Sequence, residues 1–468
     1  MDFTEGECCP LFFGQKILRY KDEMEADLAK LVAIPSVCGP AEPGRPFGAE
    51  SARALGAILK IADGMGLATK NVGNYAGHAE YGAGGDMAAV VTHVDVVPAG
   101  GGWDTDPFRL TRRGSLLFGR GAADDKGAAV VALYCLKALR DEKIPARRRI
   151  RAIFGAGEEI ASNDLTMYFK SEPLPSMAFT PDSEYGICNR EKGILRLNLR
   201  GGKPEGAVRE FSAGSVLNAV PDSAGAVLRC GPERLAALSA AAEKAGAAFR
   251  LERTADGAKL SAKGKASHAM QPEKGVNAAA ILLHLLAGVF PAEELGGFFA
   301  FLDRFIGTET DGASLGVRRS DAPSGPLTLN LGIVKAGGSG TCAGLDIRYP
   351  VTADGGAIFR KIRACAEQAG FEAELLQDTK PLYLPEQSPL ISLLQDSYRT
   401  VTGRPAGLYA TGGGTYARAI PGRAAAFGPF FPDEPDRRLH NTNENIDTDR
   451  FLVHAQICLE AVYRMATV

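Results

Sequence analysis

The sequence lacks the features that mark a nucleic-acid-binding or membrane-spanning protein. Its 53 lysines and arginines are balanced by 55 aspartates and glutamates, whereas proteins that bind a nucleic-acid duplex usually carry a basic surplus. No uninterrupted apolar run approaches the roughly 18 residues that a transmembrane helix requires. We therefore expect neither a nucleic-acid partner nor a membrane partner.

The chain also has no regular cysteine spacing, and its opening residues do not show the pattern of a secretory signal. Its nine cysteines are odd in number and show no repeated C-x-x-C pattern, so a disulfide framework is not expected. The segment from Met1 to Glu5 is acidic and has no basic stretch of the kind that opens a secretory signal. Reduced thiols and the missing signal predict a cytoplasmic protein.

The 468 residues are too many for one ordinary core, and their pattern divides the chain. Before about Gly193 and after about Pro385, strand-like apolar runs alternate with helical segments, as in an α/β fold with a mainly parallel sheet between helices. In between, Leu195, Leu197 and Leu199 alternate with polar residues, which indicates a half-buried strand. We predict a domain formed by segments 1–193 and 385–468, interrupted at 194–384 by an α+β domain with an antiparallel sheet.

Histidine is scarce, with six in the chain, so each can be weighed separately. His93 and Asp95 lie in the strand-like run 87–97, where side chains two residues apart point to the same side. Burying an imidazole and a carboxylate is costly unless they pair or bind a cation, and a carboxylate often orients a metal-ligating histidine. This favours a metal ligand over a core histidine at position 93. His284 and His454 fall inside helical segments and are expected to pack.

Further acidic residues follow strand-like segments or open a helix. Taken singly, each could cap a helix or belong to an ordinary polar loop. Together they give a donor set of two imidazoles and three carboxylates that suits zinc, and also manganese or cobalt: His93, Asp124, Glu159, Asp182 and His440. One carboxylate could be shared by two ions, which would leave Glu158 as a general base.

Several motifs occur in an order that resembles a known family, the di-zinc metallopeptidases that include carnosinases, aminoacylases and desuccinylases. The resemblance covers nearly the whole chain and rests on T-H-V-D-V-V-P, G-R-G-A-A-D-D-K-G, G-A-G-E-E and L-H-N-T-N-E. The bacterial broad-specificity dipeptidase branch (Xaa-His or β-alanyl dipeptidases) is resembled most in P-D-S-E-Y, D-I-R-Y-P and T-G-G-G-T-Y-A-R. The resemblance implies a zinc-exopeptidase-like catalytic domain and an inserted lid domain at 194–384.

The resemblance also implies roles for the metal-site residues. His93 and Asp182 would hold one of two divalent ions, most simply zinc, and Glu159 and His440 would hold the other. Asp124 would bridge the two ions, and the peptide bond after it, Asp124–Asp125, is often cis in the family. The two remaining roles are an orienting carboxylate and a general base, assigned to Asp95 and Glu158.

In the lid, the resemblance implies an oxyanion-stabilising histidine and a group of substrate-binding residues. The histidine is His268. The substrate's terminal carboxylate and reaction oxygen would be bound by Asn218, Arg348, Gly413, Gly414 and Thr415. Arginine suits a planar carboxylate because its guanidinium presents a two-pronged set of donors.

The implied activity is hydrolysis of unblocked dipeptides by a water that bridges the metal ions, with Glu158 as the general base. One alternative is an N-acyl-amino-acid deacylase of the desuccinylase or deacetylase type on the same scaffold. A remote alternative is a binding protein that has lost its metals. The long insertion favours a monomer with a self-sufficient active site, with a dimer as the alternative.

Overall fold

The structure, a computed structural model, describes residues 12–160 and 163–468. The chain divides into two compact units. The first unit contains the described residues up to Asn189 together with Tyr383–Tyr409 and Gly414–Val468, and the second contains Arg190–Leu382 and Ala410–Gly413. The acidic opening segment considered above lies outside the described residues.

The strands and helices are numbered in chain order. The strands are β1 (Ala68–Val72), β2 (Ala76–Tyr81), β3 (Met87–His93), β4 (Thr111–Arg113), β5 (Leu116–Phe118), β6 (Arg149–Gly155), β7 (Met177–Thr180), β8 (Ser183–Glu184), β9 (Ile187–Glu191), β10 (Gly193–Gly201), β11 (Val208–Ala213), β12 (Ser223–Arg229), β13 (Phe249–Thr254), β14 (Gly257–Lys263), β15 (Ser320–Asp321), β16 (Gly325–Pro326), β17 (Thr328–Gly337), β18 (Gly340–Tyr349), β19 (Glu372–Thr379), β20 (Leu382–Tyr383), β21 (Leu408–Thr411), β22 (Ala424–Ala426), β23 (Pro429–Phe430) and β24 (Asn445–Asp447). The α-helices are α1 (Lys21–Val32), α2 (Gly48–Gly64), α3 (Lys126–Asp141), α4 (Asp164–Tyr168), α5 (Pro232–Ala245), α6 (Ala278–Val289), α7 (Ala292–Leu295), α8 (Gly297–Phe305), α9 (Gly355–Gln368), α10 (Pro389–Thr402) and α11 (Thr448–Thr467).

The first unit is built on a mixed sheet whose strands run in the order β1-β2-β6-β3-β7-β22-β9. The central strands are parallel: β3 pairs in parallel with both β6 and β7, and β22 pairs in parallel with β7. Antiparallel pairs occur on both sides of this centre, β1 with β2 and β22 with β9 among them. All residues of β3 are buried, as expected for a parallel strand that is covered on both faces.

Helices cover this sheet and close the core of the first unit. Helix α3 packs against β3 and β6, and α11 packs against α3. Alanine, valine and leucine dominate α3, and nearly every one of its side chains is buried, which is typical of a central helix. Helix α11 begins at an N-cap, Asp447, whose side chain accepts hydrogen bonds from the amides of Asp449 and Arg450.

The second unit is built on an eight-stranded antiparallel sheet in the order β13-β14-β12-β11-β17-β18-β10-β19. Its core is separate from that of the first unit and includes the alternating leucines of β10, which are fully buried. Helices α5, α6, α8 and α9 belong to the same unit, and α6 packs against β12, β14 and β17. The mixed sheet and the separate antiparallel sheet confirm the predicted fold class.

One local prediction differs from the structure. The predicted strand 87–97 ends at His93, because its partner β6 ends at Gly155: Val94 still donates to the Gly155 carbonyl, but Val96 donates to the Ser36 carbonyl instead. A 3-10 helix over Phe13–Tyr20 directly precedes α1. None of the helices within the described ranges combines the length and the apolar character needed to cross a membrane.

Candidate metal centre

The first candidate ligands follow the carboxyl ends of adjacent parallel strands. His93 is the last residue of β3, Glu158 and Glu159 follow β6, and Asp182 follows β7. The strand order β6-β3-β7 therefore brings these side chains to one edge of the sheet. That edge is where active sites of α/β sheets are usually found.

Asp124 lies between two histidines. Its Oδ1 is 3.0 Å from His93 Nε2, and its Oδ2 is 3.0 Å from His440 Nε2. The same His440 nitrogen is 3.0 Å from Glu159 Oε2. The expected cis peptide bond between Asp124 and Asp125 is present. Each oxygen of Asp124 thus faces a different imidazole, as a carboxylate shared by two ions would.

The remaining acids gather around His93. Donor atoms of His93, Asp124 and Glu159 lie within 4.8 Å of one another, and donor atoms of His93, Glu158 and Asp182 form a second group of the same size. The structure therefore brings together all five residues predicted as ligands, with Glu158 beside them. The two groups share His93, so the acids form one continuous cluster.

The titration properties of the cluster follow from burial and from the contacts between its members. Burial would raise the pKa of Asp124, but hydrogen bonds from His440 and His93 outweigh it and hold that pKa below its usual range. The carboxylates of Asp124 and Glu159 raise the pKa of His440 to about 10. The pKa of His93 is also raised, because hydrogen bonds to Asp124 and Asp95 outweigh its burial.

Glu158 and Asp182 differ from Asp124 because burial dominates them. Burial raises the pKa of Glu158 to about 8, and it raises the pKa of Asp182 well above its usual range. Asp124 raises both further. Among the described residues, the ion pairs of the five candidate ligands and Glu158 are made only between carboxylates and histidines. An acidic cluster with nitrogen donors and no lysine or arginine partner fits divalent cations.

Asp95 lies just beyond β3 rather than on it. Its main-chain oxygen is 3.1 Å from His93 Nδ1, and its carboxylate Oδ1 is 3.5 Å from the same nitrogen. The two carboxylate oxygens accept hydrogen bonds from the amides of Glu158 and Glu159, at 3.1 and 3.0 Å. Asp95 therefore contacts His93 mainly through its backbone, and its carboxylate holds the turn that carries both glutamates.

Sequence reasoning missed two acids that support Asp124 and His93. Asp125 is fully buried, and its Oδ2 accepts a hydrogen bond from the His93 amide at 3.2 Å. Glu444 is also fully buried, and its Oε1 accepts hydrogen bonds from the amides of Ala123 and Asp124, at 2.9 and 3.1 Å. Both residues stand inside motifs quoted above, D-D-K-G and L-H-N-T-N-E, so the motif positions were the available signal.

Arg120 forms a buried ion pair with Glu444. Its Nη1 is 2.6 Å from Glu444 Oε2, and both side chains are almost fully buried. Its Nη2 donates to the Asn441 carbonyl at 3.1 Å, beside His440. Arg120 and Glu444 thus connect the loop of Asp124 with the loop of His440.

In the second unit, Asn218 and His268 lie on neighbouring segments. An isolated bridge pairs Ala219 with His268, and the Ala269 amide donates to the Asn218 carbonyl at 2.9 Å. His268 Nδ1 accepts a hydrogen bond from the Met270 amide at 3.1 Å. Burial lowers the pKa of His268, and nearby Arg348 lowers it further, which favours the neutral ring.

Arg348 lies on β18 in a network of buried charges. Its Nε and Nη2 donate to Asp346 at 2.5 and 3.0 Å, and its Nη1 donates to the Gly412 carbonyl at 2.7 Å. Asp346 also accepts a hydrogen bond from Arg196 Nε at 2.8 Å. Two guanidinium groups therefore share one buried carboxylate, and Arg348 is joined to the glycine loop.

The glycine loop itself is held by threonine side chains. The Gly413 amide donates to Thr411 Oγ1 at 3.0 Å, and Thr415 Oγ1 accepts a hydrogen bond from the Ala417 amide at 3.2 Å. Thr415 thereby caps the 3-10 helix Tyr416–Ala419. Gly413 belongs to the second unit, and Gly414 and Thr415 belong to the first.

The two helix histidines behave differently from each other. His454 is buried as expected and lies 2.9 Å from the Tyr185 hydroxyl through its Nδ1. His284 was expected to pack, and this prediction is wrong, since 74% of its side chain is exposed and its contact is to Asp303. Position 284 lies on the outer side of α6, whose buried face is made by alanines and leucines.

Two known proteins are similar in sequence to the chain over nearly its whole length. The chain is 36% identical over 465 residues to a Bacillus subtilis (strain 168) protein described as "Putative dipeptidase YtjP", covering 96% of this chain and 99% of that protein. It is 32% identical over 469 residues to a "Putative dipeptidase" of Staphylococcus epidermidis, covering 96% and 98% of the two chains.

Solved structures share the fold at low sequence identity. Human carnosine dipeptidase 1 matches with a TM-score of 0.58 at 15% identity, over 97% of this chain and 98% of that one. The Saccharomyces cerevisiae dipeptidase Dug1p matches with a TM-score of 0.56 at 13% identity, over 97% of this chain and 98% of that one. The family model for peptidase family M20/M25/M40 matches residues 89–464, which contain the whole candidate metal centre. The chain belongs to this metal-dependent peptidase family and is a hydrolase that acts on peptide bonds.

Proposed function

We propose that the chain is a dipeptidase that hydrolyses unblocked dipeptides carrying a free terminal carboxylate, with Glu158 as the general base. The observation that carries the proposal is the position of Glu158, which lies within 4.8 Å of the donor atoms of His93 and Asp182 while the resemblance leaves it no ligand role. Relatives described as dipeptidases that match over almost their whole length support the choice of substrate.

Two divalent ions would be held by the five ligands, with Asp124 between His93 and His440. Carboxylate and imidazole donors suit zinc, and also manganese or cobalt. When bound, such ions polarise the scissile carbonyl and lower the pKa of water. The chain's own residues then have to position the peptide and move the protons.

Burial raises the pKa of Glu158 to about 8, which suits its carboxylate to proton transfer near neutral pH. Its carboxylate takes a proton from the attacking water and returns it to the leaving amine. Asp95 fixes the backbone of Glu158 and Glu159, so that the base and the neighbouring ligand keep a constant separation. Asp125 and Glu444 fix the backbones of His93 and Asp124 in the same way.

Residues of the second unit would bind the substrate. His268 would donate a hydrogen bond to the developing oxyanion, and Asn218 would assist it. Arg348 would bind the terminal carboxylate, together with the loop of Gly413, Gly414 and Thr415. Asp346 accepts hydrogen bonds from Nε and Nη2 of Arg348, and the Gly412 carbonyl accepts one from Nη1, so the guanidinium is held in a fixed orientation for this role.

A substrate panel tests the proposal. Purified enzyme loaded with zinc or with manganese is assayed on free dipeptides, tripeptides, C-terminally amidated dipeptides, and N-acetyl and N-succinyl amino acids. We expect fastest release of amino acids from free dipeptides. Faster hydrolysis of the acylated amino acids would contradict the proposal and establish a deacylase.

We further propose that one chain forms a complete active site. Asn218, His268 and Arg348 all come from the single insertion that this chain carries. Glu158→Gln and His268→Ala chains are mixed and assayed together. The mixture is expected to remain inactive, because each chain lacks one required group, and recovery of activity on mixing would show that chains share sites.

A further inference from the structure

The turn between β6 and Glu159 is held by two buried carboxylates. Asp164 Oδ2 accepts hydrogen bonds from the amides of Ala156 and Gly157, at 3.2 and 3.1 Å. Asp95 holds the next two amides, those of Glu158 and Glu159. Asp164 is 2% exposed and Asp95 is fully buried. The amides of Gly157, Glu158 and Glu159 are therefore held by side chains, and the Ala156 amide is shared between Asp164 and the Tyr75 carbonyl, which lies 3.1 Å away.

Tyr416 is a third component of this arrangement. Its hydroxyl donates to the same oxygen of Asp164, Oδ2, and the tyrosine is buried. Its ring meets the His93 ring edge to face, with centroids 6.2 Å apart and planes at 88°. A side chain at position 155 would overlap the tyrosine hydroxyl, so Gly155 is required at the end of β6. Tyr416 thus contacts the turn, the strand end and the imidazole together.

The position of Tyr416 in the chain gives these contacts a functional consequence. It follows Thr415 directly, at the end of the glycine loop that the proposed function assigns to the substrate carboxylate. Glu158 extends from the turn that Asp164 holds. The hydroxyl of Tyr416 therefore stands between a proposed substrate-binding segment and the segment that carries the proposed base.

We propose that Tyr416 is a positioning residue for Glu158: its hydrogen bond fixes the Asp164 carboxylate, which in turn fixes the backbone from which Glu158 extends. The proposal rests on the proposed function of Glu158. A small displacement of a catalytic group lowers the rate of the chemical step more than it lowers substrate binding. The hydroxyl is therefore expected to affect kcat and not KM.

The direct test is Tyr416→Phe, which keeps the ring and removes only the hydroxyl. We expect kcat to fall about tenfold, in line with the loss of one hydrogen bond to a charged group. We expect KM to stay within about twofold and the metal content to be unchanged. Hydrogen–deuterium exchange should increase in the peptide that contains Ala156 and Gly157, a readout that does not depend on turnover.

Tyr134→Phe is the matched control. Tyr134 is 1% exposed, and its hydroxyl donates to Asp27 Oδ2 at 2.7 Å, so the variant also loses one buried hydrogen bond to a carboxylate. It lies on α3 and takes no part in the turn. We expect a similar loss of thermal stability, with kcat and the exchange of the 156–157 amides unchanged. If the lost hydrogen bond acted only through general stability, kcat would fall alike in Tyr416→Phe and Tyr134→Phe.

Asp164→Asn and the double variant complete a cycle. If Tyr416 acts through Asp164, the double variant should lose no more activity than Asp164→Asn alone. Independent, multiplying losses would overturn the proposal, as would a Tyr416→Phe kcat equal to that of Tyr134→Phe. The assay uses the fastest substrate of the panel and includes Glu158→Gln. An active Glu158→Gln would instead contradict the proposed function itself.

Discussion

Two clusters of buried and partly buried carboxylates lie in the first unit, and they differ in their cationic partners. In the first, called here the paired cluster, Arg151 Nε and Nη1 lie 2.5 and 2.6 Å from Glu80 and Glu172, and Lys70 Nζ lies 2.6 Å from Glu172. In the second, the metal centre, the described ion pairs of Asp124 and Glu159 are to His93 and His440.

The cationic partners of the two clusters show which property identifies a cation site. Both clusters bury acids, so burial alone does not separate them. The paired cluster already contains its cations and needs no ligand. The metal centre has more carboxylates than cationic side chains, and its neighbouring carboxylates add to the effect of burial in raising the pKa values of Glu158 and Asp182. The missing positive charge is the property that points to bound ions.

The largest expected effect is on the base of the metal centre. Glu158→Gln should keep both ions and lower kcat by about 10²–10⁴-fold, because the amide cannot accept the proton. Kinetics on the metal-loaded variant, with metal content determined on the same sample, check this. Near-normal turnover in a loaded variant would remove Glu158 from the mechanism.

The next effect breaks the paired cluster. Arg151→Met should lower the free energy of unfolding by about 1.5–3 kcal/mol, since Glu80 and Glu172 lose a buried, charged hydrogen-bond donor but keep Arg149 and Lys70 beside them. Metal content and kcat should not change. The control is Arg148→Met, which breaks a pair with the half-exposed Asp86 and should cost less than about 1 kcal/mol. Equal losses in urea unfolding would show that the paired cluster contributes no more than a surface pair.

Two histidines of the first unit have pKa values shifted in opposite directions. His440 faces carboxylates and its pKa is raised to about 10, whereas burial lowers the pKa of His454 to about 3. The unfolded chain takes up a proton at its position 454 near pH 6.5, and the folded chain does so only near pH 3. Stability from this group is therefore complete above about pH 6.5 and is lost as the pH falls toward 3.

The measurement uses metal-free protein in EDTA. Between pH 7 and pH 5, the free energy of unfolding of the wild type should fall by about 2 kcal/mol more than that of His454→Gln. Urea unfolding at the two pH values gives the difference. Parallel curves for the two proteins would mean that His454 is not held neutral.

The smallest effect concerns the opposite imbalance, in the second unit, where Arg348 and Arg196 share Asp346. Two guanidinium groups around one carboxylate should attract an anion. Arg348→Lys should therefore raise KM for free dipeptides about tenfold and change kcat little, because lysine lacks the two-pronged donor set of the guanidinium. Arg196→Lys, which keeps one charge on the same carboxylate and is more exposed, is the control. If the wild type cleaves amidated dipeptides as well as free ones, Arg348 does not anchor a carboxylate.

Motif and pattern were informative where side chains sit at strand ends. The apolar run that contains His93, the acids after β6 and β7, and the alternating leucines of β10 each follow from local sequence, and the predicted fold class is confirmed. The sequence did not show where β3 ends, because that depends on carbonyls of Ser36 and Gly155, which are distant in the chain.

The supporting residues could not be found in the same way. Asp164 and Tyr416 are 252 positions apart in the chain and meet only in the folded structure, and neither stands in a periodic pattern. Asp125 and Glu444 lie close to predicted ligands in the sequence. The local sequence does not show whether such an acid holds a ligand's backbone or caps a helix. Such contacts depend on tertiary packing, and a single sequence contains no measure of it.

We propose that the acids at the strand ends, whose ion pairs within the described residues are to histidines alone, form a centre for two divalent ions. Metal-free chain is dialysed against zinc, and the bound metal and the recovered activity are measured together, with Glu80→Gln as a control from the paired cluster. We expect two ions per chain for both proteins and activity that returns as the metal is loaded. A fully active chain that holds one ion or none would contradict it.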